Sequence, residues 1–403
     1  MMRLTILSIG LILIIRSLMA APIELLVEDD GTFNAGTLGE FLQSPGNDSD
    51  PNCLDVLSNG SLVYFETQFD CVNGADSVVL FDEDAPGGGV NRFAVIASEA
   101  ALQTAAGLAT TENIGGVDIA VGDNDNVYLL GTNTTPATPE WYIWRIPSTG
   151  GNSFSAPEIA ANPTALGASA GGDYSLGIDL STDPDTLIIG IDDSVLANDT
   201  TTNGIYTLDA SATNGTPTII SGGSGTATLA AVSTASGDVG GTDKGTCSDV
   251  VVIPGGNILV CNGTSGAGPT RGNIVEVDRV SGAVSLWLDA GLLGGTPIQA
   301  SLAYNATSNR VGVFWFVGAV SGAPTTDDRI EEYTAAGVFD KIVASEPDIE
   351  AVQPSSPSTD LNIFSNAFAT DGTNYYVFLG NNYEGLIRVP QVIPVELSVF
   401  SAD

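Results

Sequence analysis

The sequence predicts an all-β fold, a six-bladed β-propeller of four-stranded antiparallel blades. Three observations point to it. An Asn/Asp/Gly turn followed by a β-branched or aromatic strand recurs six times, as NGSLVYF (59–65), DNVYLLG (125–131), DTLIIGI (185–191), GNILVCN (256–262), NRVGVFW (309–315) and NYYVFLG (374–380). Successive copies begin about 50 to 70 residues apart, a spacing that marks propellers and repeat arrays. Gly, Thr, Ser, Asn and Asp are abundant and helix formers are sparse, a mix that suits short strands joined by tight turns. Only EAALQTAAGLA (99–109) has the composition of a helix.

Each repeat resolves into four strands. The innermost is expected in CLDVLS, GVDIAV, SLGIDL, SDVVVI, ASLAYN and SNAFAT, and the second is the apolar strand after the turn. The third follows in DSVVLFDE, EWYIWRIP, NGIYTLDA, GNIVEVDR, DRIEEYTA and EGLIRVPQ. The outermost is read in RFAVIAS, APEIAA, TPTIISG, VSLWLDA and FDKIVAS. The sixth repeat lacks an outermost strand of its own, and either IELLVE (23–28) or VELSVF (395–400) is placed to supply it. A closed ring leaves only short, protected edges. Two stacked sandwiches are the competing architecture, but no Pro-rich or charged linker divides the chain. Residues 222–246 and 345–363 read as the longest irregular stretches, both where one blade passes to the next.

Residues 1–21 read as an export signal: Arg3 precedes about 12 apolar residues (4–15), too few to span a bilayer comfortably. An uncleaved signal anchor is the alternative. Residues 22–392 are assigned to the propeller and 393–403 to a C-terminal tail, and the protein is expected to be secreted, periplasmic or at the cell surface. The net charge is −37, with Lys only at 244 and 341. Such a surface repels phosphate backbones and anionic lipid, so no nucleic-acid partner is expected. No membrane span is expected beyond the signal segment. Export permits disulfides. Cys53 and Cys247 each stand two residues before an inner-strand Asp, and Cys71 and Cys261 follow in the same repeats. The expected bonds are Cys53–Cys71 and Cys247–Cys261, the second across the turn PGGN. A zinc site is disfavoured by the spacing and by the absence of histidine.

GVDIAVGDNDNVYLL (116–130) and SDVVVIPGGNILV (248–260) resemble the blade start of NHL and gluconolactonase-like six-bladed propellers. VIPVELSVFSAD is similar to a PVEL-x-x-F segment near the C-terminus of exported bacterial proteins. The first resemblance implies a divalent ion held by acidic and amide side chains at the axis. The Glu that such enzymes supply from an early blade has no clear match here.

Without histidine there is no Ser-His-Asp or Cys-His system, and no P-loop or nucleophile elbow is present. What remains is oxygen chemistry. Aligned repeats bring Asp55, Asp118, Asp249 and Asn366 toward the axis, with positions near Gly177 and Ser301 completing the ring. Two readings stand: the acids cap inner strands by accepting backbone N–H groups of the neighbouring blade, or they hold Ca²⁺, which takes six to eight oxygen ligands. The site is expected on the face of the loops joining second to third strands and one blade to the next. A small molecule, a glycan or a protein is the expected partner there. Trp141, Trp144, Trp287 and Trp315 fall inside strands and read as packing residues. Three functions remain open: an exported binding or surface-associated module, a Ca²⁺-dependent hydrolase or lactonase, and a surface-layer or filament subunit.

Overall fold

The computed structural model describes residues 22–28, 53–66, 76–133, 135, 140–161, 174–191, 203–236, 247–262, 273–289, 299–316, 328–352, 362–380 and 385–391. These residues form six four-stranded antiparallel sheets. The innermost strands are Leu54–Val56, Ile114–Val121, Tyr174–Asp179, Asp249–Val252, Gln299–Asn305 and Asn362–Thr370. Each packs against the inner strands of both neighbouring blades, and the sixth packs against the first. The chain is therefore a closed six-bladed β-propeller.

Its core lies between the blades. Six apolar layers, one at each interface, fill the gaps, with Leu129 and Trp144 against Phe65 and Val63 between blades 1 and 2. This explains the sequence pattern. The second and third strands are covered on both faces by neighbouring blades and are apolar without alternation, as a doubly buried strand must be. LVYFE (62–66) and SVVLF (77–81) are buried throughout, whereas the outermost FAVIAS (93–98) is half exposed. Close approach of blades needs glycine in places. A Cβ at Gly116 would lie 2.2 Å from Phe65 Cγ, and one at Gly312 would lie 2.4 Å from Tyr375 Cε1. Trp144 and Trp315 are fully buried and Trp141 nearly so, and Trp287 packs partly buried against the layer between blades 4 and 5. All four are packing residues, as expected.

The N-terminal strand Glu24–Glu28 closes the ring. It pairs antiparallel with Gly385–Pro390 as the outermost strand of blade 6. Val27 buries its side chain there, and Arg388 joins Glu24 and, at 2.6 Å, Glu83 of blade 1. The competing segment, 395–400, lies outside the described residues.

Among the described residues three α-helices occur, all after the outermost strand of an odd-numbered blade. Helix α1 (Glu99–Ala106) was legible in sequence; its N-cap is Ser98 and its C-cap is Gly107 at φ 71°. Helices α2 (Leu229–Ser236) and α3 (Glu346–Glu350) fall in stretches expected to be irregular. Each has a local cause and a tertiary one. LAAVSTAS is rich in Ala, and Ser345 with Asp348 makes a capping box beside Pro347. Leu102, Leu229 with Val232, and Ile349 then plug the layers between blades 1 and 2, 3 and 4, and 5 and 6.

The Cys247–Cys261 bond expected across the hairpin is not formed; Cys53, Cys247 and Cys261 are buried and in no disulfide. The reason is the faces they occupy. Cys247 sits in the layer between blades 3 and 4, against Gly190, while Cys261 sits in the layer between blades 4 and 5. The other expected bond, Cys53–Cys71, is likewise not formed: Cys53 is in no disulfide and is buried in the layer between blades 1 and 2, while Cys71 lies outside the described residues.

Two outcomes test this architecture. Val27→Asp, which places a charge in the closing strand's buried face, should lower unfolding stability in urea by about 3 kcal/mol or more. Cys53, Cys247 and Cys261 should resist a thiol reagent in the folded protein and react on denaturation without reductant, as peptide mapping would show.

Candidate functional site

An antiparallel blade pairs its inner strand on one side only. The other edge faces the axis, where unpaired N–H groups need acceptors. Three aspartates supply them in one repeated arrangement. Asp55 accepts the amide of Val56 at 2.8 Å and, across to blade 2, that of Val121 at 2.7 Å. Asp118 accepts Ile119 N–H at 2.8 Å and Leu176 N–H of blade 3 at 2.5 Å. Asp249 accepts Val250 N–H at 2.7 Å and Leu302 N–H of blade 5 at 2.6 Å. One oxygen serves the residue after the aspartate, and the other serves the next blade. The capping reading of these acids therefore describes their hydrogen bonds in full.

Their levels differ. Blades 1, 2 and 4 share a five-residue turn between first and second strands, closed by Leu57 N–H to Ser61, Gly122 N–H to Asn126 and Ile253 N–H to Asn257. Counted from that turn, Asp118 and Asp249 are equivalent and Cys53 takes their place in blade 1, while Asp55 lies two residues nearer the turn. Asn366 stands in the sixth inner strand, and its side chain is outside the described ones.

Burial dominates the electrostatics. It pushes the Asp55 carboxyl up to about 7 against the pull of its two amides. Asp118 is raised by burial first and then by the charge of Asp249, with Asp55 adding to it, and Asp249 is raised by burial. The three carboxylates thus feel one another across the axis and retain protons well above the ordinary carboxylate range. They do not gather into a metal cage: among the described residues, no three acidic or thiol side chains are grouped to hold a metal ion. The three described carboxylates thus do not by themselves form the expected Ca²⁺ site, and the side chain of the fourth expected ligand, Asn366, lies outside the described ones.

A cavity of about 410 Å³ runs along the axis from Asp118 and Asp249 to the turns at Ser181, Pro254–Gly256 and Ala306. It opens on the face of the turns between first and second strands, opposite the face expected from sequence. Most of the loops of that other face lie outside the described residues. The wall is apolar, with Ala120, Ile178, Val251, Tyr304, Phe368 and Ala369. Asp179, nearly fully buried, also lines it and is tied to Arg279 of blade 4. Sequence reasoning missed Asp179 and Tyr304. The available signal was Tyr304 itself, an aromatic side chain near the turn end of an inner strand.

No family model matches the chain, and no curated protein matches it. Among solved structures 81 chains match. An α-L-arabinanase of Penicillium chrysogenum complexed with arabinobiose is 12% identical at a TM-score of 0.47, covering 93% of this chain and 99% of that one. The Trypanosoma rangeli sialidase is 11% identical at 0.45, covering 86% and 57%. Regucalcin of Agrobacterium tumefaciens, a calcium-binding protein, is 12% identical at 0.34, covering 73% and 85%. These likenesses bear on no residue of the site.

The raised carboxyls set a pH dependence. An acid whose folded value lies above its unfolded value of about 4 keeps its proton in the folded state while the unfolded chain loses one. The stability it contributes is complete below about pH 4 and is lost as pH rises through the folded value, near 7 for Asp55. Urea unfolding should therefore show stability falling from pH 4.5 to 7.5, by up to about 1.4 kcal/mol per pH unit for each carboxyl. Asp249→Ala, which strands two amides, should cost about 1–3 kcal/mol at pH 5 and less at pH 8. A flat profile for the wild type would refute this assignment.

Proposed function

We propose that the protein is an exported ligand-binding propeller without catalysis, and that its axial cavity is the binding site. The observation that carries the reading is the cavity itself. It is a concave, largely apolar-walled space within the 300–1,000 Å³ range of small-molecule sites, lying where all six blades converge. The axial aspartates that line it are held in place by the blades they fasten. Both oxygens of each accept a backbone amide, which leaves one further lone pair on each oxygen to receive a ligand's donor. The blade-start resemblance to NHL and gluconolactonase-like propellers agrees with a binding role at the axis. Export rests on the signal-like segment 1–21.

A Ca²⁺-dependent hydrolase is the second reading, and one observation favours it: a carboxyl held near 7 in a cavity, as for Asp55, has the proton affinity of a general acid. The want of a metal cage among the described residues weighs against it.

Ligand-observed NMR with a fragment set of neutral, cationic and anionic compounds tests the proposal. Hits are expected with the wild type, and Val251→Trp, which fills the cavity from a half-buried wall position, should abolish them while leaving the thermal unfolding temperature within a few degrees. Hits that survive this substitution would place binding elsewhere. Turnover of simple esters or lactones that requires Asp55 would establish the hydrolase reading instead.

A further inference from the structure

The cavity combines two features that are rarely found together. Its wall is made of aliphatic and aromatic side chains, and its ionisable lining groups are all of one sign. Asp55, Asp118, Asp179 and Asp249 line it, and among the described residues no Lys or Arg does. Asp179 is compensated from behind by Arg279, which leaves Asp55, Asp118 and Asp249 without a cationic partner. Asp118 and Asp249 are almost fully buried at the floor, whereas Asp55 stands nearer the mouth and is half-buried. The groups around Asp55 are the amides of Val56 and Val121, the thiol of Cys53 and the carboxyl of Asp118. Ala369 of the neighbouring blade 6 and Tyr304 of blade 5 line the same space, and the Tyr304 hydroxyl donates to Asn309 at 3.0 Å. No basic group competes for the Asp55 carboxylate.

We propose that this cavity selects a compact organic cation, an amine or guanidine carried on an apolar body, with Asp55 as its charge partner. The proposal rests on the cavity being a binding site and names the class of ligand it takes. An anion would enter a low-dielectric space already holding carboxyls of its own sign, which is costly. A divalent ion needs six or more oxygens at once, and the lining offers carboxylates whose oxygens each already accept an amide. An ammonium group asks for less: it has three donors and needs only a few acceptors. A carboxylate oxygen that accepts one amide keeps a second lone pair, so Asp55 can receive an N⁺–H donor without releasing Val121. The aliphatic and aromatic wall then covers the ligand's apolar part. Because the carboxyls hold protons near neutral pH, binding a cation expels a proton. Affinity for the cation therefore rises with pH.

Isothermal titration of the full-length protein with benzylammonium, benzyl alcohol and benzoate at pH 8 tests the inference in the wild type. Benzylammonium should bind at least about tenfold more tightly than benzyl alcohol, the ratio expected for one charge-assisted hydrogen bond, and benzoate should not bind. Benzylammonium affinity should weaken as pH falls to 5, and proton release should appear as a dependence of the heat on buffer ionisation. Asp55→Asn should remove the preference for the cation while benzyl alcohol binds as before, which also reports that the variant is folded. Equal affinity for benzylammonium and benzyl alcohol would overturn the inference and leave the binding reading standing. Failure of all three probes, together with an empty fragment screen, would remove both. Displacement of benzylammonium by micromolar Ca²⁺ would overturn it in favour of a metal site.

Discussion

The inner edge of every blade is the constraint on which this molecule turns. A sheet edge that faces other protein, not water, must find acceptors for its amides or lose their hydrogen bonds outright. Six such edges meet at one axis. Aspartate resolves the difficulty at three interfaces because its two oxygens reach two amides at once, one on its own strand and one on the next. Asp55, Asp118 and Asp249 thereby fasten blade 1 to 2, 2 to 3 and 4 to 5. The remaining interfaces use other groups. Arg279 reaches Asp179 between blades 3 and 4, Asn305 donates to Gly372 at 3.1 Å between 5 and 6, and Arg388 reaches Glu83 between 6 and 1. Fastening the ring in this way brings carboxyls into a space that no cation lines, and the character of the cavity follows from that.

The same economy governs the few basic residues. Against 48 acidic residues the chain has 11 Lys and Arg. Among the described residues, Arg145, Arg279, Arg310, Arg329, Lys341 and Arg388 are in ion pairs. Several are placed where strands or blades meet. Arg145 pairs with Glu158 within blade 2 and also donates to the carbonyl of Ala210 in blade 3 at 2.9 Å. Arg388 spans the closing strand and blade 1 together. Cations are thus spent on junctions, and the outer surface is left strongly negative. A binding site in such a protein favours positive ligands before any specific contact is made.

The blade architecture was readable because its signals are local and repeated. NG, DN and GGN turns set each hairpin, and strands buried on both faces advertise themselves as runs such as TLIIGI and RVGVFWF. Inner strands were placed within a few residues for the same reason. What escaped the sequence depends on contacts made between blades. LAAVSTAS becomes a helix because Leu229 and Val232 have a gap to fill, and nothing within the segment announces that gap. Cys247 and Cys261 look opposed across a hairpin, yet each belongs to a different inter-blade layer. The aspartates were found, but whether they held an ion or an amide depended on where the next blade's backbone lay. The cavity's open face was missed because an inner strand reads alike toward either end of the axis.

A two-blade rhythm runs through these details. Helices α1, α2 and α3 follow blades 1, 3 and 5, and each seals the layer toward the following even-numbered blade. Asp118 and Asp249 lie on even blades, and the equivalent place in blade 1 holds the uncharged Cys53. Amide pairing extends the series. Asp118 serves the residues after itself and after Ser175, and Asp249 serves those after itself and after Ser301. Small uncharged side chains thus stand in the odd blades beside acids in the even ones. This alternation keeps two like charges from occupying adjacent blades at one level, where their repulsion in a buried setting would be largest. Asp55 would break the rule at that level, and it sits two residues along the strand instead. The displacement moves it away from the buried floor and toward the mouth, which is why it is the one axial carboxylate of the three that an entering ligand meets first.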